Sequence, residues 1–162
     1  MALKSDIAIL QQAPLLRDLE PAALQLLAFA AEARTYKAGD VLFRRGDASD
    51  GGFVVTGGAV SMDAGAGAKP LVVGPGALIG ELAMIVDTER PATALAAETT
   101  TVLRITRDMF RRVMQEFPES AAAMRDAIAE EARATAGKLS AIGYRLAAVD
   151  LAEERLRKGR GA

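Results

Sequence analysis

The chain has 162 residues, and its 20 Lys and Arg residues against 21 Asp and Glu give a formal net charge of −1. This balance provides no overall attraction to nucleic acid or to an anionic membrane. Cysteine and histidine are both absent, which excludes disulfides, zinc–thiolate and iron–sulfur sites, thiol nucleophiles and Ser-His-Asp catalysis. We therefore expect one non-enzymatic domain with no catalytic residue, no metal and no cofactor, whose 51% apolar residues supply the core.

The first stretch, to about Phe29, has the apolar spacing of helices, and Pro21 suits the first turn of the second helical segment. The apolar residues that share a face in these segments are Ile7, Leu10, Leu24, Leu27 and Ala28. The N-terminal apolar run is too broken for a secretory signal, and no segment approaches the ~20 apolar residues of a membrane span. We therefore expect a cytoplasmic protein that does not contact membrane.

From Arg34 to Thr106, glycine-containing turns recur between short runs of β-branched and aromatic residues. Three such runs are Val41–Phe43, Phe53–Val55 and Leu71–Val73. A last run alternates, with Thr101, Leu103 and Ile105 on one face and Val102, Arg104 and Thr106 on the other. The pattern predicts a small antiparallel barrel, roll or sandwich, and of these we expect a jelly-roll-like β-roll of about eight short strands.

The chain becomes helical again at Arg107. Phe110, Val113, Met114 and Phe117 follow helical spacing, and Pro118 marks a break. Beyond it, an Ala-, Glu- and Arg-rich stretch predicts a long C-terminal helix whose apolar residues form a short seam. The seam residues are Leu139, Ile142, Leu146, Val149 and Leu156. Two interpretations stay open: the helix packs on its own roll, or it joins two copies as a homodimer. The predicted class is thus α+β, with a β-roll between N-terminal helices and a long C-terminal helix.

The main candidate for a binding site is the segment from Gly74 to Met84, which continues with Arg90-Pro91-Ala92-Thr93. A glycine before a helical turn lets the backbone approach an anion closely. Arg90 follows Glu81 by nine residues and would return to the same place after a tight turn. Its guanidinium can then grip a phosphate with two N–H groups, while the Glu81 carboxylate accepts hydrogen bonds from a sugar hydroxyl.

The same residues also allow a simpler interpretation. Gly80 then permits only a turn, and Glu81 favours a helix N-terminus through the dipole. Arg90 would be a surface cation whose partner is Glu81, Asp87 or Glu89.

The stretch GELAMIVDTERPAT, residues 80–93, closely resembles the phosphate-binding cassette of the cyclic-nucleotide-binding domain family, which reads roughly G-E-L-A, a short linker and R-x-A-T. The resemblance extends in order over approximately residues 13–117. Residues 18–27 resemble the helix before the roll, 37–47 the opening strand and turn, 53–57 the next strand and turn, and 93–112 the closing strands and following helix.

The resemblance implies that Gly80 and the backbone around Leu82 and Ala83 contact the cyclic phosphate. It also implies that Glu81 binds the ribose 2′-hydroxyl and that Arg90 pairs with the exocyclic phosphate oxygens, next to Pro91 and Ala92. The roll would shelter the ligand, and a C-terminal helix would close over the base.

Pro91 departs from the family pattern, which usually has Ala, Ser or Thr after the arginine. Proline removes a backbone N–H that would donate to the phosphate. Such a charge-assisted bond is worth roughly 1.5–3 kcal/mol, so affinity would fall by about one or two orders of magnitude. The missing threonine hydroxyl, which often accompanies cyclic GMP binding in the family, favours cyclic AMP as the ligand.

Two functions follow from the resemblance. In the first, the domain senses cyclic AMP, or cyclic GMP in its place, and movement of the C-terminal helix signals to an unidentified protein effector. In the second, it is an interaction or structural module of the same fold that has lost or weakened nucleotide binding.

The resemblance also divides the chain into two parts of one domain. Residues 1–117 hold the N-terminal helices, the roll and the following helix, and residues 118–162 hold the C-terminal lid or dimerisation helix and tail. Because the long helix takes most of the roughly 45 residues after Phe117, we expect no helix-turn-helix module for DNA.

Overall fold

Two helices come before the sheets: α1 spans Ala2–Leu10 and α2 spans Pro21–Ala30. The computed structural model describes residues 2–13, 15–65 and 67–134. Helix α2 begins three residues later than the resemblance indicated, because a residue before proline is biased away from helical dihedrals, and Glu20 is extended there (φ −57°, ψ 144°). Helix α2 buries one face, as its apolar spacing predicts, through Ala23, Leu24, Leu27 and Ala28.

Eight strands lie within the described residues and form two four-stranded antiparallel sheets, which confirms the predicted roll. They are β1 (Glu32–Tyr36), β2 (Val41–Phe43), β3 (Gly51–Gly57), β4 (Val60–Asp63), β5 (Leu71–Val73), β6 (Leu78–Ile79), β7 (Thr93–Ala96) and β8 (Thr100–Thr106). The strand orders are β1-β8-β3-β6 and β2-β7-β4-β5. The predicted runs 41–43 and 71–73 are strands β2 and β5, and 53–55 lies within β3.

Strand β8 separates two hydrophobic cores. Leu103 and Ile105 point to a core shared with the helices, whereas Val102 points to a second core inside the roll. The predicted alternation along β8 is therefore correct, and both of its faces have apolar neighbours. Strand β3 does the same, with Val54 in the helix-side core and Phe53 in the roll core. The first sheet thus lies between the helices and the second sheet.

Helix α3 spans Arg107–Glu116 and α4 runs from Pro118 to Ala134. The Thr106 side chain caps α3 by accepting a hydrogen bond from the Met109 amide at 3.1 Å. The break predicted at Pro118 is present as the junction between α3 and α4. The apolar seam from Leu139 to Leu156, on which the dimer interpretation depends, lies outside the described residues, as does most of the predicted C-terminal helix.

Candidate functional site

A tight turn at Gly80 leads into a short 3-10 helix that spans Glu81–Met84. Gly80 has left-handed backbone dihedrals, with φ at 74°, a conformation that glycine adopts without a Cβ penalty. The Ala83 amide donates to the Gly80 carbonyl at 3.0 Å, which closes the helical turn. Glu81 and Ala83 are buried, and Leu82 is half-buried. The predicted order of glycine followed by a short helix is therefore present.

Arg90 returns to this turn, as its spacing from Glu81 predicts. A Cβ atom built on Gly80 would lie only 2.5 Å from Nη1 of Arg90, so the bare glycine allows the guanidinium to lie against the turn. The backbone of Arg90 is fixed on the other side. Its amide donates to the Asp47 carbonyl and its carbonyl accepts from the Gly46 amide, each at 2.8 Å.

The Arg90 side chain is buried, with 4% of its surface exposed. Its guanidinium carbon lies 4.2 Å from the ring centroid of Phe43 and 5.9 Å from that of Phe53, distances at which a cation is attracted to an aromatic face. Among the described residues, neither Nε nor Nη1 of Arg90 has a hydrogen-bond partner. The interpretation of Arg90 as a surface cation is therefore wrong.

Neighbouring carboxylates partly compensate the positive charge of Arg90, and neighbouring arginines oppose them. Its Nη2 atom lies 3.9 Å from a carboxylate oxygen of Asp50. Burial lowers the pKa of Arg90 from its ordinary value to about 10; Asp50 and Asp47 oppose this shift, and the cations Arg107 and Arg104 add to it. A buried guanidinium with two nitrogens that lack hydrogen-bond partners among the described residues is a site that favours an incoming anion.

Arg107, the first residue of α3, ties together the two loops beside Arg90. Its Nε donates to the Ala83 carbonyl at 2.9 Å, and Nη2 donates to the carbonyl and hydroxyl of Ser49 at 2.8 and 3.1 Å. The Ser49 amide and hydroxyl both donate to the Thr88 carbonyl, at 3.1 and 2.5 Å. The short helix and the segment leading into Arg90 are thus attached to the same side chain.

Pro91 and Ala92 continue from Arg90 into strand β7. Pro91 is half-buried, and Ala92 is fully buried in the roll core. The Thr93 hydroxyl, the first after the arginine, accepts a hydrogen bond from the Arg45 amide at 2.9 Å. Pro91 offers neither an N–H nor a hydroxyl at this position.

The structure brings the residues predicted from the cassette, 80–83 and 90–92, into one region. Sequence reasoning missed four further residues there: Phe43, Asp50, Phe53 and Arg107. Arg107 lies next to Asp50 because β3 and β8 pair Gly51 with Thr106, and the Arg107 amide donates to the Asp50 carbonyl. That pairing was not predicted.

The described residues, 2–134 without 14 and 66, contain no group of three or more Asp and Glu residues placed to hold a metal ion. Within those same ranges, no helix is both long and apolar enough to cross a membrane.

Comparison with known proteins identifies related chains. The family model described as "Cyclic nucleotide-binding domain" matches residues 33–117. A cyclic nucleotide-gated potassium channel from Mesorhizobium japonicum is 37% identical over 123 residues, which are 76% of this chain and 34% of the channel. The chain therefore matches about a third of that relative's length.

Solved structures also share the fold, and two of them are similar in sequence as well. A cyclic nucleotide-binding-like protein from Brucella abortus has a TM-score of 0.61 and 38% identity, and the match covers 68% of this chain and 97% of that one. The N-terminal domain of a transcriptional regulator from Streptomyces coelicolor has a TM-score of 0.70 and 30% identity, with coverages of 82% and 98%.

Proposed function

We propose that this chain, which belongs to the cyclic nucleotide-binding domain family, senses cyclic AMP with its buried arginine and passes the signal to a protein partner. The proposed ligand-binding residues are Gly80, Glu81, Leu82, Ala83, Arg90, Pro91 and Ala92. The relative from Mesorhizobium japonicum is described as cyclic nucleotide-gated, and this description supports a regulatory role.

The observation that carries the proposal is the state of the Arg90 guanidinium. Burying a charge is costly unless it is paired and hydrogen-bonded. Arg90 is 5% exposed, two of its nitrogens lack a partner among the described residues, and Asp50 remains 3.9 Å away. An apolar side chain of similar length would fill this place at lower cost. A phosphodiester that accepts from the guanidinium would offset the cost when it binds.

The neighbouring residues are suited to the rest of the ligand. Gly80 carries no side chain that would clash with Nη1 of Arg90, so the turn and the guanidinium lie side by side. Glu81 begins the short helix that follows Gly80 and is 8% exposed. In the proposed complex, its carboxylate accepts a hydrogen bond from the ribose 2′-hydroxyl, while Arg90 contacts the phosphate. The two opposite charges then serve different parts of one molecule.

The choice of cyclic AMP over cyclic GMP depends on Pro91. Pro91, which follows Arg90 directly, has no polar side-chain atom. The lack of a hydroxyl at this position supports the adenine nucleotide. Pro91 also provides no N–H for the phosphate, so we expect an affinity about tenfold or more below that of a variant with this donor.

A route from the site to the C-terminal part of the chain passes through the helix-side core. Met84, the last residue of the short helix, is fully buried in the same cluster as Phe110 of α3 and Met124 of α4. A shift of the cassette on ligand binding would therefore press on α4. We propose that the C-terminal helix carries this displacement to the effector, and that it is also where a homodimer would form.

Calorimetric titration tests the proposal with cyclic AMP, cyclic GMP and the non-cyclic 5′-AMP as ligands. We expect binding of cyclic AMP, weaker binding of cyclic GMP and none of 5′-AMP, with Pro91→Ala tighter than the unmodified chain. No heat from either cyclic nucleotide at millimolar concentration would reject the sensor. It would favour the second candidate, an interaction module that has lost its ligand, for which Pro91 is the specific indication.

A further inference from the structure

Asp50 lies between two arginines and contacts them unequally. One carboxylate oxygen is in close contact with Nη2 of Arg104, and the other is 3.9 Å from Nη2 of Arg90. The Arg90 contact is too long for a hydrogen bond. The Asp50 side chain is 64% exposed, so it has room to move from one arginine to the other. In the structure, the Asp50 carboxylate is paired more closely with Arg104 than with Arg90.

Arg104 is fixed by its place in the sheet. It lies on β8, where it pairs with Glu32 of β1 on one side and Phe53 of β3 on the other. Its Nη1 atom lies 3.6 Å from the Glu32 carboxylate, and 16% of its side chain is exposed. Arg34 contacts the same Glu32 carboxylate at 3.2 Å. Arg104 is therefore held from the edge strand while its other nitrogen holds Asp50.

A carboxylate seated fully on Arg90 would compete with an incoming anion. The ligand would first have to displace it, and the free energy of the Arg90–Asp50 pair would be subtracted from the free energy of binding. Where the carboxylate is occupied elsewhere, the guanidinium is available without that cost. The position of Asp50 therefore controls how readily Arg90 accepts a phosphate.

We propose that Arg104 is a positioning residue that maintains the affinity of the anion site by holding the Asp50 carboxylate away from Arg90. The proposal rests on the function proposed above, since it assumes that an anion binds at Arg90. It makes Arg104 necessary for affinity without any contact between Arg104 and the ligand.

A second way for Arg104 to act is to attract the anionic ligand through its charge. Its positive charge lies close enough to affect the pKa of Arg90. The two roles differ in their dependence on Asp50. Attraction by charge would act whether or not a carboxylate stands at position 50. Positioning of Asp50 requires that carboxylate, so it disappears when the carboxylate is removed.

A double-mutant cycle on cyclic AMP affinity separates these roles. We expect Arg104→Met to weaken binding about two- to fivefold, the worth of one partly exposed ion pair. Asp50→Asn should tighten binding, and in the Asp50→Asn background Arg104→Met should have no further effect. An equal loss in both backgrounds would overturn the proposal in favour of attraction by charge. Arg111→Met removes an exposed cation of α3 and should leave the affinity unchanged.

A ligand-free measurement tests the inference separately from the proposed function. Urea unfolding of Arg90→Met, Asp50→Asn and the double variant gives the coupling free energy between Arg90 and Asp50. We expect this coupling to be larger when the same cycle is made in the Arg104→Met background, because Asp50 then moves onto Arg90. An unchanged coupling would overturn the role of Arg104 even if cyclic AMP binds. A larger coupling together with no nucleotide binding would reject the ligand and retain the control of Asp50 by Arg104.

Discussion

Gly80 and Arg90 approach so closely that a methyl group at position 80 would lie 2.5 Å from Nη1 of the arginine. The backbone of Gly80 is also left-handed, so the residue meets two requirements at once. The first is a conformation that other residues adopt at a cost, and the second is the absence of a side chain where the buried guanidinium lies. These two requirements can be separated by substitution.

Gly80→Ala should lose nucleotide affinity as well as stability. The left-handed conformation costs alanine roughly 1–2 kcal/mol, and the methyl group must also displace a guanidinium that is confined by Phe43. Gly39→Ala is the matched control, because Gly39 has φ at 89° and nothing within 4 Å of the added atom. Urea unfolding should show a loss of unfolding free energy in both variants, larger for Gly80→Ala because of the clash, and calorimetry should show a loss of cyclic AMP binding for Gly80→Ala alone. Equal affinities would contradict the proposed role of the contact between Gly80 and Arg90.

Phe43→Leu tests the aromatic support of Arg90. The guanidinium lies 4.2 Å from the Phe43 ring centroid, and such a contact is worth about 0.5–2 kcal/mol. We expect Phe43→Leu to lower the unfolding free energy less in an Arg90→Met background than in the unmodified chain. The difference between the two backgrounds, from urea unfolding, measures the contact. If the losses are equal in both, the ring stabilises only the apolar core.

Arg107→Met should weaken both the fold and ligand binding. The variant loses the hydrogen bonds to the Ala83 carbonyl and to Ser49, at a cost of about 2–3 kcal/mol in unfolding free energy. Because these contacts fix the loops on both sides of Arg90, we expect cyclic AMP affinity to fall about tenfold.

The matched control for Arg107→Met is Arg111→Met, one turn further along α3. It removes an equal charge from a side chain that is 60% exposed and should change neither unfolding nor binding. A tenfold affinity loss in both variants would indicate a general effect of charge, and Arg107 would not be specific.

The pH dependence of binding follows from the lowered pKa of Arg90, about 10 in the ligand-free chain. The phosphodiester binds the protonated guanidinium, so affinity should be independent of this group from about pH 7 to pH 9. It should then fall above about pH 10, towards one log unit per pH unit. Calorimetry over this range, with circular dichroism to verify folding, measures the effect. A constant affinity up to about pH 11 would contradict it.

The same pKa fixes the sign of the effect of Arg90 on stability. The arginine of the unfolded chain keeps its ordinary, higher pKa, so the unfolded chain binds more protons above about pH 10. Below pH 10 both states are charged, and the folded state bears the full cost of the buried cation. Arg90→Met should therefore raise the unfolding free energy of the ligand-free chain at neutral pH by about 1 kcal/mol or more. Urea unfolding would show this as a higher midpoint. A lower midpoint would show that Phe43 and Asp50 compensate the charge completely.

Much of the fold was predictable because its signals are local. The alternation along β8 and the apolar face of α2 are both periodic over several residues. Strand β1 was missed, since four of its five residues are exposed and include Glu32 and Arg34. A polar edge strand has neither the apolar alternation nor the β-branched run by which a strand is recognised.

The residues of the site also fall into those that a local pattern predicts and those that it does not. Gly80, Glu81 and Arg90 lie within one short segment whose spacing resembles a known cassette, so they could be singled out together. Asp50 and Arg107 approach Arg90 only through the register of β3 against β8. That register depends on contacts between residues more than 50 positions apart. No local pattern predicts them.

One titration tests most directly whether the buried Arg90 binds the phosphate of a cyclic nucleotide. Cyclic AMP is titrated into the unmodified chain and into Arg90→Met, with circular dichroism to verify that both are folded. We predict heat of binding from the unmodified chain and none from Arg90→Met at the same concentrations. Equal binding by both proteins, or binding by neither, would contradict the account.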